Sequence, residues 1–457
     1  MNCSITDFGA KTTDVLQTEI IQKAIDACFL AGGGTVRIPK GIYRTGDIRI
    51  RSNVTLYLEK GAILEGSQNP EDYKHIFSDQ IEPITQEELD QFVNTNWSAN
   101  PYTRWSSGLI RAIHAKNIAI IGEEFSWIDG MSCYDDKGEE GYRGPHLIYM
   151  YQCENVTFKG YSVRRSSNWA HCILYTKNLT AEDVTVLGGH DAIDIHCCNN
   201  VLIRNCYLDA GDDAIAGFNN ENVVIRDCLI GTNSNVLRFS GNNVLVENCK
   251  SLDEGNFGYR GVLPVELKEK SHSTGANELH RTNSGYLYYC DFRYGRDDID
   301  KPVENIVIRN CEFGELGTPF CLKWDEGYIW CSYRPLKQIK FENCVFKSIR
   351  EPIYIHGSKE VPMLFEMENC KITVKPGCES IIFLDGIDFG TVQLTNVQLH
   401  GFVSPRIVKH TDGSVQMKDG LPIEILEENS PNYRGTFTDP DFMTKDGLKQ
   451  IVAPYKK

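Results

Sequence analysis

Between residues 154 and 246 the chain repeats one pattern, a polar pair followed by apolar and polar residues alternating over about five positions. Glu154-Asn-Val-Thr-Phe158, Lys177-Asn-Leu-Thr-Ala181, Asn199-Asn-Val-Leu-Ile203, Glu221-Asn-Val-Val-Ile225 and Asn242-Asn-Val-Leu-Val246 align on their second residue. The shared Asn falls at 155, 178, 200, 222 and 243, in steps of 23, 22, 22 and 21 residues. Alternation with period two is that of a strand with one buried face, and a fixed step near twenty residues marks a solenoid. No single coil can bury its own face, so the coils must stack into one continuous core of parallel sheets. Connections between parallel strands are right-handed. The pattern therefore predicts an all-β chain folded as a right-handed parallel β-helix.

Cysteines at 206, 228, 249, 311, 344 and 370 hold one phase of the unit, with the interval from 249 to 311 read as close to three turns. One small polarizable side chain per coil would fill a narrow interior without voids. The repeated Asn is expected to form a ladder inside the turn, its amide satisfying backbone groups of successive coils. Five consecutive coils are clear, with degenerate ones before and after, and residues 1–457 read as a single domain. Helical spacing occurs from Asp14 to Ala31, where Ile20, Ile21, Ala24, Ile25 and Cys28 precede Gly32-Gly-Gly34. A short amphipathic helix there, within a capping region of about residues 1–35, would cover the open strand edges of the solenoid's first coil. Two insertions interrupt the repeat. The first, about residues 69–107, carries Trp97, Tyr102 and Trp105; the second, about 251–301, is rich in Gly and charge. Their aromatics suit either sugar stacking or the packing of a lid. The tail, about 412–457, loses the period and is expected to pack along the outside.

Composition narrows the function. With 41% hydrophobic and 24% charged residues the chain has material for a large core, and a formal charge of -15 argues against nucleic acid or an anionic membrane as partner. The first residues lack a signal-peptide pattern and no segment has the length of a membrane span, so the expected location is cytoplasmic. Seventeen cysteines, an odd number with many in one phase, read as buried thiols in a reducing compartment. No zinc-type pair of cysteines occurs, so neither a structural metal nor a cofactor is expected. His196-Cys-Cys198 has metal-capable atoms, but its neighbours belong to the repeat. Oligomeric state is not legible.

The acidic residues cluster at one phase. Gly189-His-Asp-Ala-Ile-Asp194 is followed one coil later by Ala210-Gly-Asp-Asp-Ala-Ile-Ala216, so Asp191 precedes Asp212 and Asp213 by 21 and 22 residues and all three should share one face. Cleaving a glycosidic bond takes one carboxylic acid to protonate the leaving oxygen and one carboxylate to activate water or attack the sugar. Crowded carboxylates raise one another's pKa, which makes an acid that survives at neutral pH. A calcium site or solvated turn acids would use the same residues.

At these positions the sequence resembles the polygalacturonase-like glycoside hydrolases of family 28, which carry Asn-Thr-Asp-Gly-Ile-Asp and then, one coil on, Gly-Asp-Asp-Cys-Ile-Ala. The likeness extends over roughly residues 5 to 250, through Gly32-Gly-Gly-Thr-Val-Arg-Ile-Pro-Lys-Gly-Ile-Tyr43, Ser52-Asn-Val-Thr-Leu-Tyr-Leu58, Gly61-Ala-Ile-Leu-Glu-Gly-Ser67, Arg143-Gly-Pro-His-Leu-Ile148 and Ser167-Asn-Trp-Ala-His171. The opening segments look like bacterial members, many of them exo-acting. The resemblance implies a pectin-lyase-like solenoid and an inverting hydrolase in which Asp212 is the general acid while Asp191 and Asp213 hold and deprotonate the water. An inverting pair stands roughly 6.5–9.5 Å apart. Asp194 reads as structural support within the turn.

The chain departs from that family at three places. Asn233-Ser-Asn235 replaces Gly-His-Gly, putting Ser234 where the family has histidine; the basic Arg-x-Lys has Glu266-Leu-Lys268 as its nearest counterpart, keeping only Lys268; and Gly189-His190 replaces Asn-Thr. A bidentate Arg is the usual partner of a sugar carboxylate. Either Arg238 supplies that charge from a neighbouring coil or the sugar differs and is neutral. His171 and His190 share the acidic phase and are candidates to bind a sugar hydroxyl or tune an aspartate, Trp169 is a candidate wall of the subsite, and Lys323-Trp-Asp-Glu326 could extend the cleft. The expected partner is an oligosaccharide, pectin-derived and trimmed from one end. A β-helical lyase or epimerase acting on uronates, and a non-catalytic carbohydrate-binding β-helix, remain the alternatives.

Overall fold

The computed structural model describes residues 1–74, 79–91, 100–134, 144–253, 255–257, 283–291, 301–323, 334–358, 360–376, 378, 381–384, 390–401, 408–410, 415–416 and 423–426. It is a right-handed parallel β-helix whose coils each contribute a strand to three sheets. Register follows the repeat. Val156, Leu179, Val201, Val223 and Val244 stack in one column, and the same column continues through Ile306, Ile339 and Phe365. All are buried in the single core that runs the length of the helix, each worth about 1.5–3 kcal/mol of burial. The coils beyond the five clear ones are therefore regular in hydrogen bonding even where their sequence is not.

The asparagines explain how each coil turns. Asn155, Asn178, Asn200, Asn222 and Asn243 all have φ between 53° and 61°, the left-handed region that Asn tolerates better than other side chains. Their amides link along the solenoid: Asn178 Nδ2 donates to Asn155 Oδ1 at 2.8 Å, Asn200 to Asn178 at 2.7 Å and Asn305 to Asn243 at 2.9 Å. The ladder is thus side chain to side chain on an exposed edge, not inside the turn as expected, because the left-handed backbone throws the amide outward. The cysteine column is interior as expected, but Cys249 and Cys311 are adjacent, with the Cys249 N–H 3.4 Å from Cys311 Sγ and Lys250 paired to Glu312. The 62 residues between them are one coil, not three turns.

Within that coil lies strand Asn283–Tyr289, which pairs with Asn235–Glu247, so the second insertion is interrupted by a piece of the scaffold. Ile423–Leu426 likewise pairs with Val397–Gly401. The period therefore extends into the tail, contrary to expectation, and residues 427–457 lie outside the described set. The capping helix forms at Thr18–Leu30, burying Ile21, Ala24, Ile25 and Cys28. Among the described residues, no helix is long and apolar enough to cross a membrane.

The first insertion is clamped to the outside of the sheet that carries the acidic residues. Arg49 and Arg51 reach Asp79 at 2.7 and 3.0 Å, and Arg51 also holds Asp26 at 2.6 Å. Burial opposes the charge on Asp79, but hydrogen bonds from Arg51 and from the backbone of Glu82 and Ile81 outweigh it and lower its pKa to about 2.

Candidate active site

The turns between strands Thr185–Leu187 and Ile193–His196, and their counterparts in the neighbouring coils, stack as a backbone ladder. Ala170 N–H donates to Asp191 O, Ala192 N–H to Asp213 O and Ala214 N–H to Asn235 O, at 2.8, 3.1 and 2.9 Å. This ladder turns a 22-residue spacing into adjacency, and it brings Asp191, Asp212 and Asp213 together. Gly189 makes the first turn possible: its φ is 87°, and a Cβ there would lie 2.8 Å from Ser166 Cβ.

His190 Nδ1 lies 2.9 Å from Asp191 Oδ1 and 3.1 Å from Asp212 Oδ2. The facing atoms of the three residues are within 4.8 Å of one another, but the two contacts from nitrogen to oxygen have hydrogen-bond lengths, so a shared proton accounts for them. On the other side, Arg238 Nε donates to Asp213 Oδ2 and an Arg238 Nη stands 3.8 Å from Asp191 Oδ2. Asn235 donates to Asp213 Oδ1 through its backbone N–H and its Nδ2, at 3.1 and 2.9 Å. The Arg238 guanidinium rests 5.6 Å above the Phe218 ring. Burial works against its charge, yet Asp213, Asp191 and Asp194 more than offset this and raise its pKa further.

These contacts separate the three aspartates. Asp191 and Asp213 are buried, whereas the Asp212 side chain is 16% exposed and is the one open to a ligand. Burial drives Asp191 well above the ordinary carboxylate range, the charges of Asp194, Asp212 and Asp213 add to this, and Arg238 opposes it. Asp213 instead receives three donors, which fix its carboxylate in place.

Asp194 and His196 lie on strand Ile193–His196 beside the cluster, alternating with the core residues Ile193 and Ile195. Asp194 is fully buried, with His196 Nε2 3.6 Å from one oxygen and the Asp191 carboxyl as its neighbour, and has its pKa pushed up, chiefly by burial. A carboxyl group whose folded-state pKa is raised costs stability once the unfolded chain can ionise, and the cost grows as pH rises above about 3.9. Asp194→Asn is therefore expected to stabilise the protein by about 1–3 kcal/mol at neutral pH, with the gain vanishing toward pH 4. Thermal unfolding of both proteins across that range measures it; a gain independent of pH would refute the charge argument.

Other candidates fall elsewhere. His171 is not on the acidic face. Its column partners are Ile148 and Ile193, so it points into the core, where Tyr161 OH meets Nε2 and Ala192 O meets Nδ1, each at 3.0 Å, and burial lowers its pKa to about 4. Sequence phase is off by one residue here, and one residue in a strand reverses the face. Trp169 packs among other rings, 5.5 Å from Trp105 of the first insertion, 5.4 Å from His146 and 5.6 Å from His196. Trp105 is itself buried, so it packs a lid. Ser234 is half-buried in the turn beside Asn235, its N–H directed at Thr232 Oγ1. Trp97, Lys268 and Trp324 to Glu326 lie outside the described residues. Asn235 escapes the sequence reading, although it follows Asp213 by 22 residues and the offset that joins the aspartates would find it.

The site is thus an acidic cluster on the outer face of a right-handed parallel β-helix, bracketed by a histidine and an arginine. A family model described as "Right handed beta helix region" matches residues 146–261. The chain is similar, at 24% identity over 228 residues, to a probable polygalacturonase of Vitis vinifera, the match covering 47% of this chain and 44% of that one. It thus spans less than half the length of the curated relatives it matches first. Among solved structures, the family 28 exopolygalacturonase of Yersinia enterocolitica aligns over 93% of this chain and 78% of its own, with TM-score 0.56 and 18% identity. The surface adhesin PfbA of Streptococcus pneumoniae aligns over 92% and 96%, with TM-score 0.58 and 16% identity. At such identities the solved structures speak for architecture alone.

Proposed function

We propose that the protein is an inverting glycoside hydrolase of the family 28 type that trims pectin-derived oligosaccharides from one end. The observation that carries this reading is the division of labour among the carboxylates. Asp212, open and facing the cleft, is the general acid; Asp191, buried with a raised pKa, is the base that deprotonates water; Asp213, neutralised by Arg238 and Asn235, helps to hold that water. The similarity to polygalacturonases supports pectin fragments as the substrate class.

Stereochemistry follows from which oxygens work. The facing oxygens of Asp191 and Asp212 are closer than the roughly 6.5–9.5 Å of an inverting pair, but both are turned toward His190. The other oxygen of Asp191 stands 3.8 Å from Arg238, so the inverting assignment draws on the sequence resemblance, and the anomer measurement below decides it. Exo action draws support from the first insertion, whose Trp105 packs on Trp169 in the coil before Asp191. A long polymer would have to pass that insertion.

The test is incubation with reduced-end-labelled galacturonate oligomers and rhamnogalacturonan fragments, products being followed by chromatography and their anomers by NMR. Monosaccharide released with inverted configuration is expected. Mid-chain fragments would remove the exo part, retained configuration the inverting part, and an unsaturated product the hydrolase reading itself.

A further inference from the structure

His190 stands between the two groups that the hydrolase reading makes base and acid, so any part it plays in turnover rests on that reading. One ring nitrogen reaches both, 2.9 Å from Asp191 and 3.1 Å from Asp212. Each turnover leaves Asp191 holding the proton of the attacking water and Asp212 stripped of the proton it gave to the leaving oxygen, and the next turnover needs the reverse. Asp191 and His190 are both buried, and of the three only Asp212 has a partly exposed side chain. Nδ1 of His190 gives the proton on Asp191 a path to Asp212 that does not pass through the site of the attacking water.

We propose that His190 Nδ1 carries this proton from Asp191 back to Asp212, resetting the site without exchange with water. The atoms balance. The water oxygen bonds to the anomeric carbon as its proton goes to Asp191, and the glycosidic bond breaks as Asp212 protonates the departing oxygen. With the ring proton on Nε2, the Asp191 proton moves to the free Nδ1 to give an imidazolium and then passes on to Asp212 Oδ2, so the ring ends as it began and no charge is gained. The charged groups facing this exchange are Asp191 and Asp212 at the nitrogen itself, with Asp213, Asp194 and Arg238 behind Asp191. His190 acts through the two carboxylates and is a positioning residue in that sense. It comes from the turn before the aspartate pair, while the turn after that pair offers Ser234.

Rapid mixing of wild type and His190→Gln with a cleaved oligomer decides the point, because glutamine keeps a hydrogen-bonding amide but cannot exchange its proton. The variant's first turnover should run near the wild-type rate, followed by a steady state about 10²-fold slower, giving a burst of one sugar per enzyme that wild type does not show. The slow phase should slow further in D₂O. A first turnover impaired as much as the later ones would make His190 a packing residue, equal rates throughout would make it dispensable, and a slow phase insensitive to D₂O would point to product release; each overturns the relay. A second measurement needs no substrate: the shared Nδ1 proton should give a strongly downfield ¹H resonance, lost in His190→Gln and shifted in Asp212→Asn, and its absence would overturn the shared geometry. A wild type that releases no sugar refutes the hydrolase reading and the relay with it. A wild type that turns over while His190→Gln shows no burst refutes the relay alone.

Discussion

Asp212→Asn is expected to lower kcat/KM on natural oligosaccharides by about 10²–10⁴-fold, the usual contribution of a positioned acid, while leaving the unfolding midpoint almost unchanged. The stability half follows from exposure, since the side chain is the least buried of the three aspartates and its neighbour His190 retains Asp191 as partner. The activity half has a signature that separates acid from base. A nitrophenyl glycoside departs without protonation, so Asp212→Asn should lose far less on that substrate than on a sugar leaving group. Asp191→Asn should lose equally on both, because water must be activated in either case. Kinetics of the two variants on the two substrates measure this directly. Equal losses in Asp212→Asn would remove its role as acid, and full activity of that variant on oligosaccharides would remove the hydrolytic cluster altogether.

The fold is legible because its two signals are strict. Alternation fixes which residues enter the core, and the recurrent Asn fixes where each coil turns, since a left-handed backbone excludes most other side chains. Counting is what fails. Cys249 and Cys311 lie in adjacent coils because a coil can absorb an insertion of any length without losing its pairing partner, so sequence distance stops measuring turns. For the same reason strand Asn283–Tyr289 reads as insertion. There Leu287 and Tyr289 enter the core while Tyr288 between them is only partly buried, so tyrosines stand on both faces and hide the alternation.

The aspartates are found because they sit in turns of constant length, where spacing still equals geometry. His171 is misplaced because it lies inside a strand, where phase must be known to a single residue. Arg238 reads from sequence as a cation for the substrate, but its partners are the aspartates. No spacing rule reveals that, because a long flexible side chain from one coil beyond Ala216 reaches back across the sheet.

That placement leads to the second large effect. Arg238→Met should destabilise the protein by about 3–5 kcal/mol at neutral pH, the cost of leaving buried carboxylates without their cation. Asp213 keeps its two Asn235 donors, but Asp191 keeps only His190, and its pKa is already pushed up by burial. Removing the arginine raises the folded-state pKa of Asp191 further. A raised carboxyl pKa costs stability that is absent below the unfolded value near 3.9 and grows as pH rises through the folded value. The deficit should therefore be largest at pH 7 and shrink steadily as the pH is lowered toward 4. Denaturant unfolding at a series of pH values measures it, and Arg238→Met combined with Asp213→Asn should recover part of the loss, since the pair is then removed together. A deficit of the same size at every pH, unrelieved by the second substitution, would mean that Arg238 matters for packing on Phe218 and not for holding the charge of the site.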